Sequence, residues 1–312
     1  MCGKTKNGTP QIDFNILGFS SLENVQLVFC VGAILMYFLT VFGNLVIITL
    51  VCLVSQLQKP MYFFLCILSI QDIIYVSAIL PKFMSITITG DKTISYLGCM
   101  IQVFLFSFCV IAEFFLLTSM AYDRYVAICI PLHYTVIMSK KICAVLASAS
   151  LIVAILNSIL FSSVISNYSF CKSQDINHFF CDIKTVMKLS CSDTTNLMKI
   201  IVGEGILFGF IPVALIITSY VYIISTILKI RTSTGRLKTF SSCSSHLTVV
   251  IIFCGTALSL YLKPETENSQ EQDKLISLLY VAVVPMLNPL VYSLRNKQVA
   301  QAFKKVTGKI FV

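Results

Sequence analysis

A chain of 312 residues that is 57% hydrophobic and only 12% charged, with a mean hydropathy of +0.87, carries more apolar surface than a water-soluble domain of this length can bury. Composition therefore excludes a soluble enzyme or scaffold and names lipid as the solvent. The formal net charge of +9 needs no nucleic acid to explain it, because the excess falls where anionic lipids and a cytoplasmic partner would meet it.

The first 24 residues are polar and hold no signal-peptide apolar core, so the first apolar run is expected to act as an uncleaved signal anchor. Seven runs follow one another: Val25 to Leu53, Met61 to Ile79, Tyr96 to Tyr122, Ile142 to Ile165, Leu197 to Leu228, Leu247 to Leu262 with some preceding residues, and Leu275 to Ser293. Crossing ~30 Å of hydrocarbon takes ~20 helical residues. Lipid offers no partner to backbone N–H and C=O groups, and the runs lack the alternation of an outer-membrane barrel. The expected fold is an all-α membrane protein, a seven-transmembrane helix bundle with a short amphipathic cytoplasmic helix after span seven. That helix is read from Val299, Phe303, Val306 and Ile310 at helical spacing, with Lys304, Lys305 and Lys309 among them. No Cys lies within or after it, which excludes palmitoyl anchoring there. The division is 1–24 extracellular amino terminus, 25–293 membrane domain, and 294–312 cytoplasmic helix and tail.

Loop charge orients the chain. With the amino terminus outside, the cytoplasmic segments hold thirteen Lys and Arg, from Lys59 and Arg124 to Lys309, against the single acid Asp123. The other side balances ten Lys against ten acids. An extracellular amino terminus follows.

Five of the thirteen Cys fall on that outer side, and Cys99, Cys171, Cys181 and Cys191 cluster at the top of span three and in the loop after span four. Two disulfides are expected, in any of three pairings. Asn7-Gly8-Thr9 and Asn167-Tyr168-Ser169 fit the glycosylation sequon on the same side. His178 shares the loop with three cysteines, where a metal site is conceivable, but a solvated loop histidine is the favoured reading.

Asp72 and Glu113 are acids inside spans, where an ionised group is costly unless paired or hydrated, so both should face the bundle interior. Asp123 and Arg124, at the inner end of span three, can pair with each other, or simply snorkel as a solvated pair. Asn288-Pro289 should kink span seven.

MAYDRYVAIC at 120–129 with PLHY at 131–134 resembles the rhodopsin-like G protein-coupled receptors, and in this long form their odorant-receptor branch. Gly43-Asn44, LQKPMYFFLCILSIQD at 57–72, Ser219-Tyr220, TFSSCSSHLTVV at 239–250 and PMLNPLVYSLRN at 285–296 fall in the order that family shows. With HFFCDIKTVMKLSCSDT at 178–194 they resemble the terrestrial, class II odorant receptors, across all seven spans.

The resemblance implies the pairings Cys99 with Cys181 and Cys171 with Cys191. It implies a G-protein coupling and switch set of Asp123, Arg124, Tyr125, Tyr220, Lys238, His246, Asn288, Pro289 and Tyr292. It places Asp72 and Glu113 with Asn44 and Asn288 in a polar cavity holding water and a sodium ion, the alternative being a protonated, hydrogen-bonded carboxyl. For the ligand it implies the outer half of the bundle: Val103, Phe106, Ser107, Val110 and Ile111 on span three, Glu204 and Phe208 on span five, and Cys254, Ala257, Leu258 and Tyr261 on span six. Such a lining is mostly apolar and suits a small volatile odorant. Cys254 stands where related receptors usually have Tyr, which should enlarge the cavity. Glu204 facing the pocket would complement an amine if ionised, or an alcohol or carbonyl if protonated, and it can equally point at a neighbouring helix or at the membrane interface.

The implied partners are a small-molecule odorant, a stimulatory olfactory-type heterotrimeric G protein and membrane lipid, with no nucleic acid. The implied location is the plasma membrane, in the cilia of olfactory sensory neurons. No cofactor is expected. A transporter or channel would need more polar residues across the bundle or matched broken helices. An enzyme would need a clustered constellation, and His133, His178 and His246 are dispersed.

Overall fold

The computed structural model describes residues 13–19, 23–171, 173–262, 270–294 and 297–310. The expected sequon at Asn7 lies outside the described residues, as do the side chains of Leu258 and Tyr261. Among the described residues seven helices are long and apolar enough to cross a membrane: Glu23–Leu53, Pro60–Thr89, Tyr96–Cys129, Lys140–Ser166, the continuous stretch Thr195–Leu228, Ser233–Leu262, and a seventh built from Gln270–Leu278, Leu279–Val283 and Val284–Leu294. We number them spans one to seven.

Local chemistry sets their ends. Pro60 opens span two, where its missing N–H costs nothing. Ser95 caps span three by accepting from the Gly98 N–H at 3.1 Å, and Ser139 caps span four. Span two runs past the expected end at Ile79 to Thr89, because the helix continues through Pro81 beyond the most apolar stretch and stops only at Gly90, in the left-handed region at φ 75°. Span six likewise begins at Ser233, well before its apolar part. Spans five and seven each contain a π-helical turn, Gly205–Phe210 and Leu279–Val283. Span three is the most buried span and span five the least.

The expected all-α character holds for the spans, but the end of the bundle that carries the amino terminus also bears a small sheet. Strand β1 (Asp13–Ile16) pairs antiparallel with β2 (Thr93–Ser95) and parallel with β3 (Asp175–Ile176). Extended segments lying across a bundle mouth must satisfy their backbone groups, and pairing with one another does so. Gly18, at φ 62°, turns the chain after β1 so that Phe19 packs on Phe83 and stacks on Phe179. Two disulfides, Cys99–Cys181 and Cys171–Cys191, tie the loop after span four to span three and to itself.

At the opposite end the helix Lys297–Ile310 buries Val299 and Ala302 against the bundle and leaves Lys304 exposed. Gln298 accepts from Lys59 Nζ and from the Tyr62 hydroxyl, joining this helix to the start of span two.

Spans one and seven meet where a side chain would not fit. A Cβ on Gly43 would lie 2.9 Å from Cγ and 3.0 Å from Cβ of Pro289, a ring that cannot swing aside. Gly43→Ala should therefore destabilise the bundle by about 1–3 kcal/mol. The check is thermal unfolding in detergent, followed by a thiol-reactive dye on the buried Cys109, Cys143 and Cys243; an unshifted midpoint would show that the two helices separate at no cost.

Candidate functional site

Aromatic rings gather where spans two, three, six and seven converge beneath the loop after span four. Phe106 lies 5.2 Å from Phe180, 5.9 Å from Tyr75 and 6.4 Å from Tyr280. Phe253 lies 5.6 Å from Tyr280 and 4.6 Å from Phe114. Val110, Cys254 and Ala257 belong to the same buried cluster. Ser107, also buried, has a hydroxyl with no hydrogen-bond partner.

The structure sets Phe106 among Tyr75, Phe180 and Tyr280, with Phe253 beyond, four rings that sequence reasoning missed, and buries Val110, Cys254 and Ala257 in the bundle core. The only signal of those four rings was being aromatic at positions that turn inward. It does not bring in the whole expected set. The small sheet and the loop after span four form a lid over the bundle, and Val103 packs with it, among Phe14, Ile176 and Cys181. Ile111 and Phe208 sit in a separate cluster with Ala112 and Ala154, on the side toward span four. Glu204 is hydrogen-bonded with Asn157 of span four, so of the pocket, the neighbouring helix and the membrane interface, it takes the neighbouring helix.

The lid also overturns an expectation: His178 is not a solvated loop residue but is 6% exposed. Its ring stacks on Phe179 at 4.8 Å and meets Phe180 edge-on at 4.6 Å. Burial, reinforced by the charges of Lys274 and Lys188, holds its pKa down at about 3, so it is neutral here. Lys274 is itself fully buried and paired with Glu271 at 2.8 Å.

Deeper in the bundle, Asn288 Nδ2 donates to both oxygens of Asp72, at 3.0 and 3.3 Å. Asn44 Nδ2 donates to the carbonyl of Thr40 at 3.0 Å and reaches that of Pro285 at 3.4 Å. One oxygen each of Glu113, Asn44 and Asn288 is buried without a partner. Among the described residues no group of three or more His, Cys, Asp or Glu could hold a metal, so a cation here would rest on amide as well as carboxyl oxygens.

At the far end of span three Arg124 pairs with Asp123, its Nε and Nη2 both directed at Oδ2. Tyr134, from the short helix Tyr134–Ile137, donates to the other oxygen at 2.7 Å. Both oxygens of a fully buried carboxylate are thereby engaged. Tyr220 lies 2.8 Å from His246 Nδ1 and 3.2 Å from the Cys243 carbonyl, while His246 Nε2 reaches the Leu117 carbonyl at 3.1 Å. A proton on Nε2 fits that pattern, leaving Nδ1 to accept from the phenol. Tyr292 is buried with its hydroxyl unpartnered, Tyr125 packs between Tyr122 and Tyr222, and Lys238 is exposed on span six. Asn288 and Pro289 join this end to the polar centre.

Seven apolar helices, a disulfide-tied lid and an Asp-Arg pair closing the opposite end define a seven-span receptor of the G protein-coupled class. A family model described as olfactory receptor matches residues 33–309. Olfactory receptor 10J5 of Homo sapiens is 45% identical over 306 residues, spanning 98% of this chain and 99% of its own. Olfactory receptor 5AR1 of Mus musculus is 44% identical over 310 residues, 97% and 98% of the two chains. Olfactory receptor 5B12 of Homo sapiens is 45% identical over 307 residues, 97% of each. The chain belongs to the olfactory receptor family, a family of receptors and not of enzymes.

Two outcomes are expected. Because His178 is neutral when buried and would take a proton near pH 6.5 when exposed, the open lid binds more protons than the closed one between about pH 6.5 and 3. Closure should therefore weaken as pH falls through that window, by at most about 1.4 kcal/mol per unit. Amide exchange of residues 175–181 at pH 7 and pH 5 reads this, and His178→Phe should flatten the difference. Separately, Tyr134→Phe removes one of the bonds holding Asp123 and should raise ligand-independent nucleotide exchange several-fold; unchanged exchange would show that Tyr134 does not restrain the pair.

Proposed function

We propose that this receptor binds a small, volatile, mostly apolar odorant in a chamber formed by Phe106, Ser107, Val110, Cys254 and Ala257 with Tyr75, Phe180, Phe253 and Tyr280, and activates a stimulatory olfactory-type heterotrimeric G protein that raises cyclic AMP. Leu258 and Tyr261, which the family resemblance assigns to the ligand site, belong to it on this reading. The lining is aromatic and aliphatic, with Ser107 as a free hydroxyl to orient a polar group. Cys254 in place of a bulkier ring leaves volume at its base.

The observation that carries the coupling half of the proposal is the Arg124–Asp123 pair held by Tyr134. A cation kept against a buried carboxylate is what a partner's docking would release. Tyr220, His246, Asn288, Pro289 and Tyr292 link that end to the bundle centre, and Tyr125 and Lys238 flank it. We place a water cluster with a sodium ion among Asp72, Glu113, Asn44 and Asn288, where the unpartnered oxygens would serve as ligands.

The loop charges favour an extracellular amino terminus, and membership of the olfactory receptor family supports a place in the plasma membrane, in the cilia of olfactory sensory neurons. Asn167, exposed at the end of span four, then carries a glycan, as does Asn7, and the terminal helix rests on inner-leaflet lipid.

Cyclic AMP in cells co-expressing the chain with an olfactory-type G protein, challenged with a panel of volatiles, tests the reading. Arg124→Ala should bring responses to baseline at equal surface expression. Cys254→Tyr should raise the half-maximal concentration about tenfold or more by overfilling the base. Full responses from the Arg124 variant would refute the coupling role, and unaltered potency from the Cys254 variant would move the ligand elsewhere.

A further inference from the structure

The aromatic cluster stands on the lid side of the polar centre, and three spans join the two levels. On span two, Tyr75 lies one turn closer to the lid than Asp72; on span three, Phe106 and Val110 lead by helical steps to Glu113; on span seven, Tyr280 lies two turns from Asn288. The upper level is closed by rings, with Phe106 5.9 Å from Tyr75 and 6.4 Å from Tyr280. The lower level is closed by hydrogen bonds, with Asn288 donating to Asp72 and reaching Glu113 as well. Cys254, at the base of the chamber, is close enough to Glu113 to feel its charge.

The polar centre has already committed its amide donors. Asn44 Nδ2 is directed at the Thr40 carbonyl and at Asp72, Gln71 Nε2 at the Cys109 carbonyl at 2.7 Å, and Asn288 Nδ2 at the two acids. What remains is a set of acceptors. Asn44 Oδ1, Gln71 Oε1, Glu113 Oε1 and Asn288 Oδ1, from spans one, two, three and seven, are buried without a hydrogen-bond partner. Among the described residues neither Asp72 nor Glu113 is paired with Lys, Arg or His. Buried acceptors in this number call for an occupant that only donates. The sodium ion placed here above meets that need, but it makes no use of the apolar chamber beside it.

We propose that the odorant this receptor takes is a short-chain primary amine, its alkyl tail among the rings of Tyr75, Phe106 and Tyr280 and its ammonium on the Glu113, Asn44 and Asn288 oxygens beside Asp72, in place of the sodium ion. This rests on the chamber argued for under the proposed function and names the class of guest it holds. An ammonium carries three donors and no acceptor, whereas a hydroxyl offers a single donor to the same oxygens and a hydrocarbon none. Charge also balances: an amine arriving neutral takes the proton of a carboxyl, one arriving charged meets a carboxylate, and both routes leave ammonium against carboxylate. A guest reaching from the rings to those oxygens spans one to two helical turns, about 5–11 Å, which a short alkyl chain covers and a bare ion does not. Cys254 in place of a bulkier ring is what leaves the passage between the two levels open.

Calorimetric titration of the full-length receptor in lipid nanodiscs with n-hexylamine and with hexan-1-ol, in potassium chloride and in sodium chloride at equal ionic strength and against empty nanodiscs, tests this. Sodium should weaken hexylamine about tenfold or more by competing for the same oxygens and leave hexan-1-ol unchanged. Glu113→Gln should weaken hexylamine by a similar factor with little effect on hexan-1-ol, and Cys254→Tyr should weaken both guests. The sodium exchange uses the unaltered chain, so it decides the matter even where a variant fails to fold. Absence of saturable hexylamine binding, or hexylamine affinity indifferent to sodium, would overturn the proposal. Hexan-1-ol still weakened by Cys254→Tyr in that case would leave the odorant chamber standing, whereas both guests indifferent to Cys254→Tyr would refute the chamber and the amine site together.

Discussion

Hydrocarbon offers no hydrogen bond, and the rest of the molecule follows from that refusal. Hydroxyl residues inside the spans answer it one by one by turning back on their own helix. Thr40 donates to Met36 O, Thr118 to Phe114 O, Ser158 to Ala154 O, Thr218 to Ala214 O and Thr248 to Ser244 O, all at 2.7–2.8 Å. Amides and carboxyls cannot be hidden in this way. Asn44, Asp72, Glu113 and Asn288 therefore converge on the bundle centre from four different spans, and Gly43 lets spans one and seven close tightly beside them. The polar centre is thus a consequence of the solvent before it is a device.

The two ends solve the same problem with different materials. At the lid end, extended segments pair into a three-stranded sheet and press His178 into an aromatic stack, where it stays neutral. At the other end, a charged pair is buried only because Asp123 receives both Arg124 and Tyr134. One end is held by ring packing and disulfides, the other by a carboxylate whose every acceptor is occupied, so the second is the one that loss of a single donor can loosen.

All seven spans were legible in the sequence because an apolar run of ~20 residues has few other uses in a protein. Their ends were less so: Pro81 reads as a stop in water, but here the helix runs on to Thr89. The pair at 123 and 124 was readable from the motif, whereas Tyr134 as its third member was not, since nothing in PLHY says which way the phenol turns. His178 was misread because a polar loop suggests solvent; the adjacent Phe179 and Phe180 were the available sign that this part of the loop folds inward. Glu204 was placed in the odorant set by position along span five, but an almost uniformly apolar helix has no polar stripe to show which side faces in.

The π turns explain why facing was the hardest property to read. An α-helix advances ~100° per residue, so one extra residue in a turn swings everything beyond it by about that angle. In span five the turn begins directly after Glu204 and separates its facing from that of Phe208, which meets Phe115 instead. In span seven the turn Leu279–Val283 holds Tyr280 against Phe106 and Phe253, two turns above the Asn288 that donates to Asp72. A guest that displaces the Tyr280 ring must therefore act on the same distorted helix that positions Asn288 and, beyond Pro289, the buried Tyr292. Regular helices would isolate the aromatic cluster from the polar centre, whereas a helix already one residue out of register can trade its extra residue for rotation.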